Sequence, residues 1–190
     1  MAVLWSVTPS EADRTSLVAL ANGIPFHAQQ LVGVDGFSEP SGPVAEKVAA
    51  ERWLRSQIES CVRQFCAVSQ EPQCRVHLMV TNADECTQFH VDHVRLRLLA
   101  TFVGPGTLWY RPSDVVYGAS PVLSINATAP FQVLHGAEPQ QLAEGEILLM
   151  KCGRYPGQQG RGIVHRSPAI RRDGAQRLVL RIDTPEACGC

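Results

Sequence analysis

Apolar residues recur at three- and four-residue steps between Val44 and Phe65, then fall into short runs of strand type after Pro72. The first pattern belongs to a helix with one buried stripe, because Val44, Val48, Trp53, Leu54, Ile58, Cys61, Val62 and Phe65 share a face. It predicts a helix from about Pro43 to Cys66, with Ser41 as N-cap and Pro43 in the first turn. A shorter helix is expected over SEADRTSLVALA, residues 10–21, capped by Ser10. Between the two, Gly33, Gly36, Pro40, Gly42 and Pro43 break the chain.

After Pro72 the texture is β. The expected strands are RVHLMV (75–80), the FHVDHV and LRLLATFV pieces, TLWY (107–110), DVVY (114–117), VLSIN (122–126), FQVL (131–134), EILLMK (146–151), GIVH (162–165) and RLVLRID (177–183). Glycines and prolines punctuate them. Helices followed by many short strands predict a mainly β chain with N-terminal helices. The architecture expected is a jelly-roll double-stranded β-helix with helices covering one sheet. Residues 1–190 are expected to form a single domain, with 1–72 mostly helical and 73–190 the β-rich core. There is no strand–helix–strand alternation in this half, no P-loop and no GxGxxG, which argues against a nucleotide-binding α/β sheet.

Composition narrows the partners. With 45% hydrophobic and 18% charged residues the chain reads as globular. A formal net charge of −1 supplies no basic field for nucleic acid or anionic membrane, so neither is expected as a partner. Arg161, Arg166, Arg171, Arg172, Arg177 and Arg181 do cluster late in the chain, as a small-anion site or as soluble surface. No run approaches the roughly 20 apolar residues that span a bilayer. MAVLWSVTPSEADR has no basic start and too short an apolar run for a signal peptide. Seven cysteines without a regular framework fit a reducing compartment, so a cytoplasmic protein is expected. A homodimer is left open. The sequon Asn126-Ala127-Thr128 carries no weight in such a compartment.

The candidate chemistry begins at FHVDHV. On a strand, side chains two apart share a face, so His90 and Asp92 can reach one ion together. A third ligand must come from elsewhere, and His165, ending GRGIVH, is the best candidate. Two histidines and a carboxylate suit non-haem Fe(II) and leave coordination positions open. Twelve residues after His165 comes Arg177, whose guanidinium could clamp a carboxylate. Arg181 shares its strand parity, so either could serve. The bland alternative pairs His90 and Asp92 with each other or with Arg95 or Arg97. A third reading joins Cys86, His90, His93 and His165 in a closed zinc site, although His90 and His93 face opposite ways on a regular strand. His27, His77 and His135 are weaker candidates, and Trp109 and Tyr110 could wall a pocket. Cys188 and Cys190 could bind a soft metal or form a redox pair, against the plainer reading of a frayed tail.

The blocks F-H-x-D, G-P-G-T-x-W, G-x-x-H-R-S-P and R-L-x-L-R-x-D, spread over about residues 86–183, resemble those of a bacterial family known as domain of unknown function 1826. More distantly the pattern is similar to Fe(II)- and 2-oxoglutarate-dependent dioxygenases. That resemblance implies His90, Asp92 and His165 as iron ligands and Arg177 as the 2-oxoglutarate clamp, with a small molecule or protein as the oxidised substrate. The alternative function is a non-catalytic zinc or iron protein for metal homeostasis or sensing. A structural module without metal is the third possibility.

Overall fold

The computed structural model describes residues 2–37, 42–118, 131–158 and 161–186. The expected VLSIN strand, the sequon, Ser41 and the Cys188/Cys190 tail lie outside the described residues. The elements run β1 (Ala2–Ser6), α1 (Glu11–Ala21), β2 (Phe26–Gly33), α2 (Pro43–Lys47), α3 (Arg52–Ser69), β3 (Gln73–Thr81), β4 (Leu96–Val103), β5 (Leu108–Trp109), β6 (Val115–Tyr117), β7 (Phe131–Val133), β8 (Gln140–Gln141), β9 (Glu146–Lys151), β10 (His165–Arg166) and β11 (Arg177–Asp183).

Six strands pair antiparallel in the order β1-β9-β4-β11-β3-β2. Alternation decides what each face of this sheet meets. Even-numbered positions of β3, β4 and β11, among them Val76, Leu78, Leu98, Ala100, Leu180 and Ile182, pack with Leu17 of α1 and Leu54, Ile58, Val62 and Phe65 of α3. The helices therefore cover one face, and their apolar stripes bury against it. Odd-numbered positions of these three strands, and even-numbered positions of β9, face the other way. Over β4 and β9, Leu99, Leu148 and Met150 meet Leu142 and Ile163 beneath a second sheet of order β10-β5-β8. Two sheets facing across a filled interior, with helices outside the larger one, make the jelly roll expected from the strand pattern.

α1 forms where it is expected, and Ser10 Oγ accepts from Asp13 N at its start. The long expected helix does not run unbroken. Residues 48–51 leave the helical path, and α3 continues three residues past Cys66. Val48 stays fully buried at the break, so the apolar stripe persists although the helix axis does not. Gln30 Oε1 of β2 accepts from Val44 N and Ala45 N, capping α2 from the sheet. Residues 1–72 also supply two strands that the sequence pattern did not predict, β1 and β2, which form the two edges of the large sheet.

β11, β9 and β3 coincide with their expected runs or extend them. The FHVDHV piece does not form a regular strand. Within it only His90 joins a ladder, as an isolated bridge to His165. GIVH enters β10 only at His165, and TLWY keeps only Leu108 and Trp109 in β5.

Candidate metal centre

His90 N donates to His165 O and His165 N to His90 O, each at 3.0 Å. Residues that exchange both bonds stand directly opposite, with side chains on one face. Their ring centroids are 4.7 Å apart. Past the bridge, the Asp92 carbonyl accepts from Gly153 N at 2.9 Å, which anchors the bend and turns the carboxylate toward the two rings. Gly162 makes the approach possible. A Cβ there would lie 2.7 Å from the Cys152 backbone and 2.7 Å from Val91 Cγ1. Tyr117 donates its hydroxyl to the Gly162 carbonyl from the far side. One ligand atom from each of His90, Asp92 and His165 lies within 4.8 Å of the others.

The histidine tautomers follow from their other nitrogens. His90 Nδ1 is 2.8 Å from the Gln88 carbonyl, and His165 Nδ1 is 3.1 Å from that of Ile163. A carbonyl only accepts, so both Nδ1 atoms carry a proton, which leaves Nε2 as the ligating nitrogen of each ring. Both Nε2 atoms face Asp92: His165 Nε2 lies 3.0 Å from Oδ2 and His90 Nε2 3.5 Å from Oδ1. Oδ2 has no aligned hydrogen bond. Lone pairs facing a carboxylate repel unless a proton or a cation sits between them. Burial opposes charging His90, yet the Asp92 carboxylate and the Gln88 carbonyl prevail and raise its pKa.

Asp92 is itself held from the large sheet. Arg97 Nη1 lies 2.6 Å from Oδ2, an ion pair, while Arg97 Nε and Nη2 clamp both oxygens of Asp183 at 2.6 and 2.8 Å. The bland pairing of Asp92 with Arg97 is therefore real, and it coexists with the three-ligand cluster. Burial pushes Asp92 up, but His165 and Arg97 outweigh it, so its pKa lies well below the usual carboxylate range. Arg97 and Asp183 sit at inward positions of otherwise apolar strands. The signal for them is the cost of placing a charge there without a partner. Arg97 is legible from the sequence as a partner for Asp92, whereas Asp183 is not.

The two candidate arginines differ in their surroundings. Arg181 Nε lies 3.3 Å from Asp183 Oδ2, and its Nη2 is 3.0 Å from His77 Nδ1. Arg177 is 3% exposed and donates through Nη2 to Thr101 Oγ1 at 3.2 Å, while its Nε has no partner. No carboxylate pairs with it among the described residues, and burial pulls its pKa down to about 10. Gly104, at φ +85, lets the neighbouring Gln176 carbonyl pass where a side chain would stand.

The other candidates lie elsewhere. Cys86 and His93 are exposed and outside the cluster, and the Cys86 carbonyl accepts from Ser167 N. His135 is exposed on a turn after β7. Trp109, half-buried, packs against the apolar interior. Cys152 carries no signal of its role in the sequence. It is buried close enough to Asp92 and Arg97 to feel both charges, and burial drives its thiol far above the ordinary range.

The family model described as protein of unknown function (DUF1826) matches residues 10–183. The chain belongs to this family. The match takes in the helical N-terminal part, where the sequence blocks are least distinct. No curated protein matches the sequence. Among solved structures, the chain is similar to the Fe(II)/α-ketoglutarate-dependent dioxygenase TqaL, with 12% identity, 96% of this chain and 81% of that one covered, and a TM-score of 0.49. It is similar to a prolyl-4-hydroxylase from Pseudomonas putida, with 11% identity, coverages of 96% and 90%, and a TM-score of 0.43. A 2OG-Fe(II) oxygenase family oxidoreductase from Burkholderia pseudomallei gives 13% identity, coverages of 96% and 82%, and a TM-score of 0.39. All three fall below 0.5, so what this chain does has to be read from its own residues.

Proposed function

We propose that this protein is a dioxygenase that holds Fe(II) on His90, Asp92 and His165 and takes 2-oxoglutarate as co-substrate. The observation that carries the reading is the convergence of two imidazole Nε2 atoms, each with its Nδ1 tied to a carbonyl, on a carboxylate whose Oδ2 has no aligned hydrogen bond. Three protein ligands, one fewer than a closed structural zinc site uses, would leave coordination positions for exchangeable ligands. When bound, Fe(II) would supply the position at which 2-oxoglutarate and dioxygen react, giving succinate, carbon dioxide and an oxidised substrate.

The chain's own groups have distinct tasks. The Gln88 and Ile163 carbonyls lock the imidazoles in the ligating tautomer. Arg97, itself clamped by Asp183, orients Asp92 and keeps it ionised. Arg177, buried with an unused Nε and no carboxylate partner among the described residues, is fitted to the distal carboxylate of 2-oxoglutarate, and Thr101 steadies it. Leu99, Leu148, Met150 and Ile163 keep water from one side.

Calorimetric titration of metal-stripped protein with Mn(II), then 2-oxoglutarate, tests this. One ion should bind per chain, 2-oxoglutarate should bind only afterwards, and Arg177→Ala should weaken 2-oxoglutarate at least about tenfold while sparing metal affinity. Tight zinc binding indifferent to 2-oxoglutarate would favour a carrier or sensor instead.

A further inference from the structure

The inward face of the large sheet changes character across its width. Over β4 and β9 it is apolar and sealed by the small sheet. Over β11, β3 and β2 it is polar and basic. The register sets Gln29, His77 and Arg181 in one row, and Leu31, Arg75, Asp183 and Arg97 in the next. His27 stands one row from His77, with Nε2 3.0 Å from His77 Nδ1. β2 extends the sheet past β3, and nothing described covers it on this side: His27 is exposed, and Leu31 is 43% exposed. The floor therefore runs outward from the Arg181–Asp183 pair beside the metal ligands toward solvent.

The charges on this floor do not balance. Four guanidinium groups, Arg75, Arg97, Arg177 and Arg181, share it with two buried carboxylates, Asp92 and Asp183. Arg97 contacts both carboxylates, and Arg181 Nε shares Asp183 at 3.3 Å from Oδ2. Arg75 has a carbonyl partner at Pro185 O, 3.1 Å from Nη2, and a buried Nε with none. Arg181 turns Nη2 toward an imidazole. The exposed Glu85 is close enough to be felt by His27, Arg177 and Arg181, but at the rim, where water screens it. A bound divalent cation would add to the excess. A 2-oxoglutarate dianion on Arg177 would offset only part of it. Buried guanidinium without an anion is costly, and filling the deficit with the ligand's own charge is the usual way such a surface becomes selective.

We propose that this face receives an acidic group of the substrate, a carboxylate or a phosphate, between Arg181 and Arg75, with His27 at its outer rim. The acidic group anchors the substrate along β2 and β3 and leaves its reacting end beside His90 and Asp92. The word substrate rests on the dioxygenase reading; the anion site does not.

The test uses the whole chain loaded with Mn(II) and saturated with 2-oxoglutarate, titrated calorimetrically with inorganic phosphate and separately with acetate. One of the two should still bind at one site per chain, and the better of them names the acidic group. His27→Gln and Arg75→Gln should each weaken that binding at least fivefold and leave Mn(II) and 2-oxoglutarate affinities within twofold. The proposal is overturned if neither anion binds, if 2-oxoglutarate abolishes the binding, or if both variants bind as the parent does. Failure of the dioxygenase reading shows separately, in the Mn(II) and 2-oxoglutarate legs. In that case the same anion titration on metal-free chain decides: binding lost in both variants supports the site, and unchanged or absent binding removes it.

Discussion

At the scale of single residues, the ligands could be found in the sequence because each carries its own signal. His90 and Asp92 are two apart beside an apolar run, and His165 closes another. Their supporting residues carry a weaker one. Arg97 and Asp183 are 86 positions apart, and only the register of β4 against β11 brings them together. His27 and His77 meet in the same way across β2 and β3. Replacing Arg97 by Met strands two buried carboxylates and should cost about 3–5 kcal/mol in chemical denaturation of the metal-free protein. A loss under 1 kcal/mol, in the range of an exposed pair, would mean that water reaches the trio. His77 offers a pH test. Burial, and then Arg181, hold its pKa down to about 3, against 6.5 for an ordinary histidine. Between those values the unfolded chain binds a proton that the native chain refuses, so stability falls as the pH drops through that window. In His77→Gln the slope of unfolding free energy between pH 6 and 4 should be shallower by up to about 1.4 kcal/mol per pH unit. An unchanged slope would show that His77 titrates normally in the fold.

At the scale of elements, periodicity worked where one face of an element meets one neighbour. α1, β9 and β11 bury a simple stripe or alternation, and their boundaries came close to expectation. It failed where the buried stripe outlasts the element. Val48 remains in the core while the backbone turns between α2 and α3, so apolar spacing alone could not reveal the break. β1 and β2 were missed because edge strands are partly exposed and lose the apolar alternation, as Val3, Leu4 and Leu31 show. The ligand loop and β10 depend on a close approach rather than on propensity. Gly162→Ala puts a methyl group against the Cys152 backbone and Val91, the residue between two ligands. It should cost about 1–3 kcal/mol in stability and weaken Mn(II) binding at least tenfold, read by thermal melts with and without the ion. Unchanged metal affinity would show that the loop adapts without moving Asp92.

At the scale of the whole molecule, the large sheet divides its labour between faces. Its helix-facing positions and the helices make the apolar core; its opposite face, together with the small sheet, carries the polar site. The buried charges are tolerable only because the core on the other side holds the strands in register. Among the described residues no helix is long and apolar enough to cross a membrane. The jelly roll was legible as a class because many short strands followed the helices, whereas the arrangement of the site depended on contacts between strands far apart in sequence. The most direct measurement of the central claim is an anaerobic one. Metal-stripped protein receives Fe(II) and then 2-oxoglutarate, and the visible charge-transfer band of iron-bound 2-oxoglutarate is recorded for the parent and for Asp92→Ala. A band that saturates at one 2-oxoglutarate per chain in the parent and is absent from the variant is the expected result. Iron bound by the parent with no band on adding 2-oxoglutarate, or a band of equal strength in the variant, would contradict the assignment.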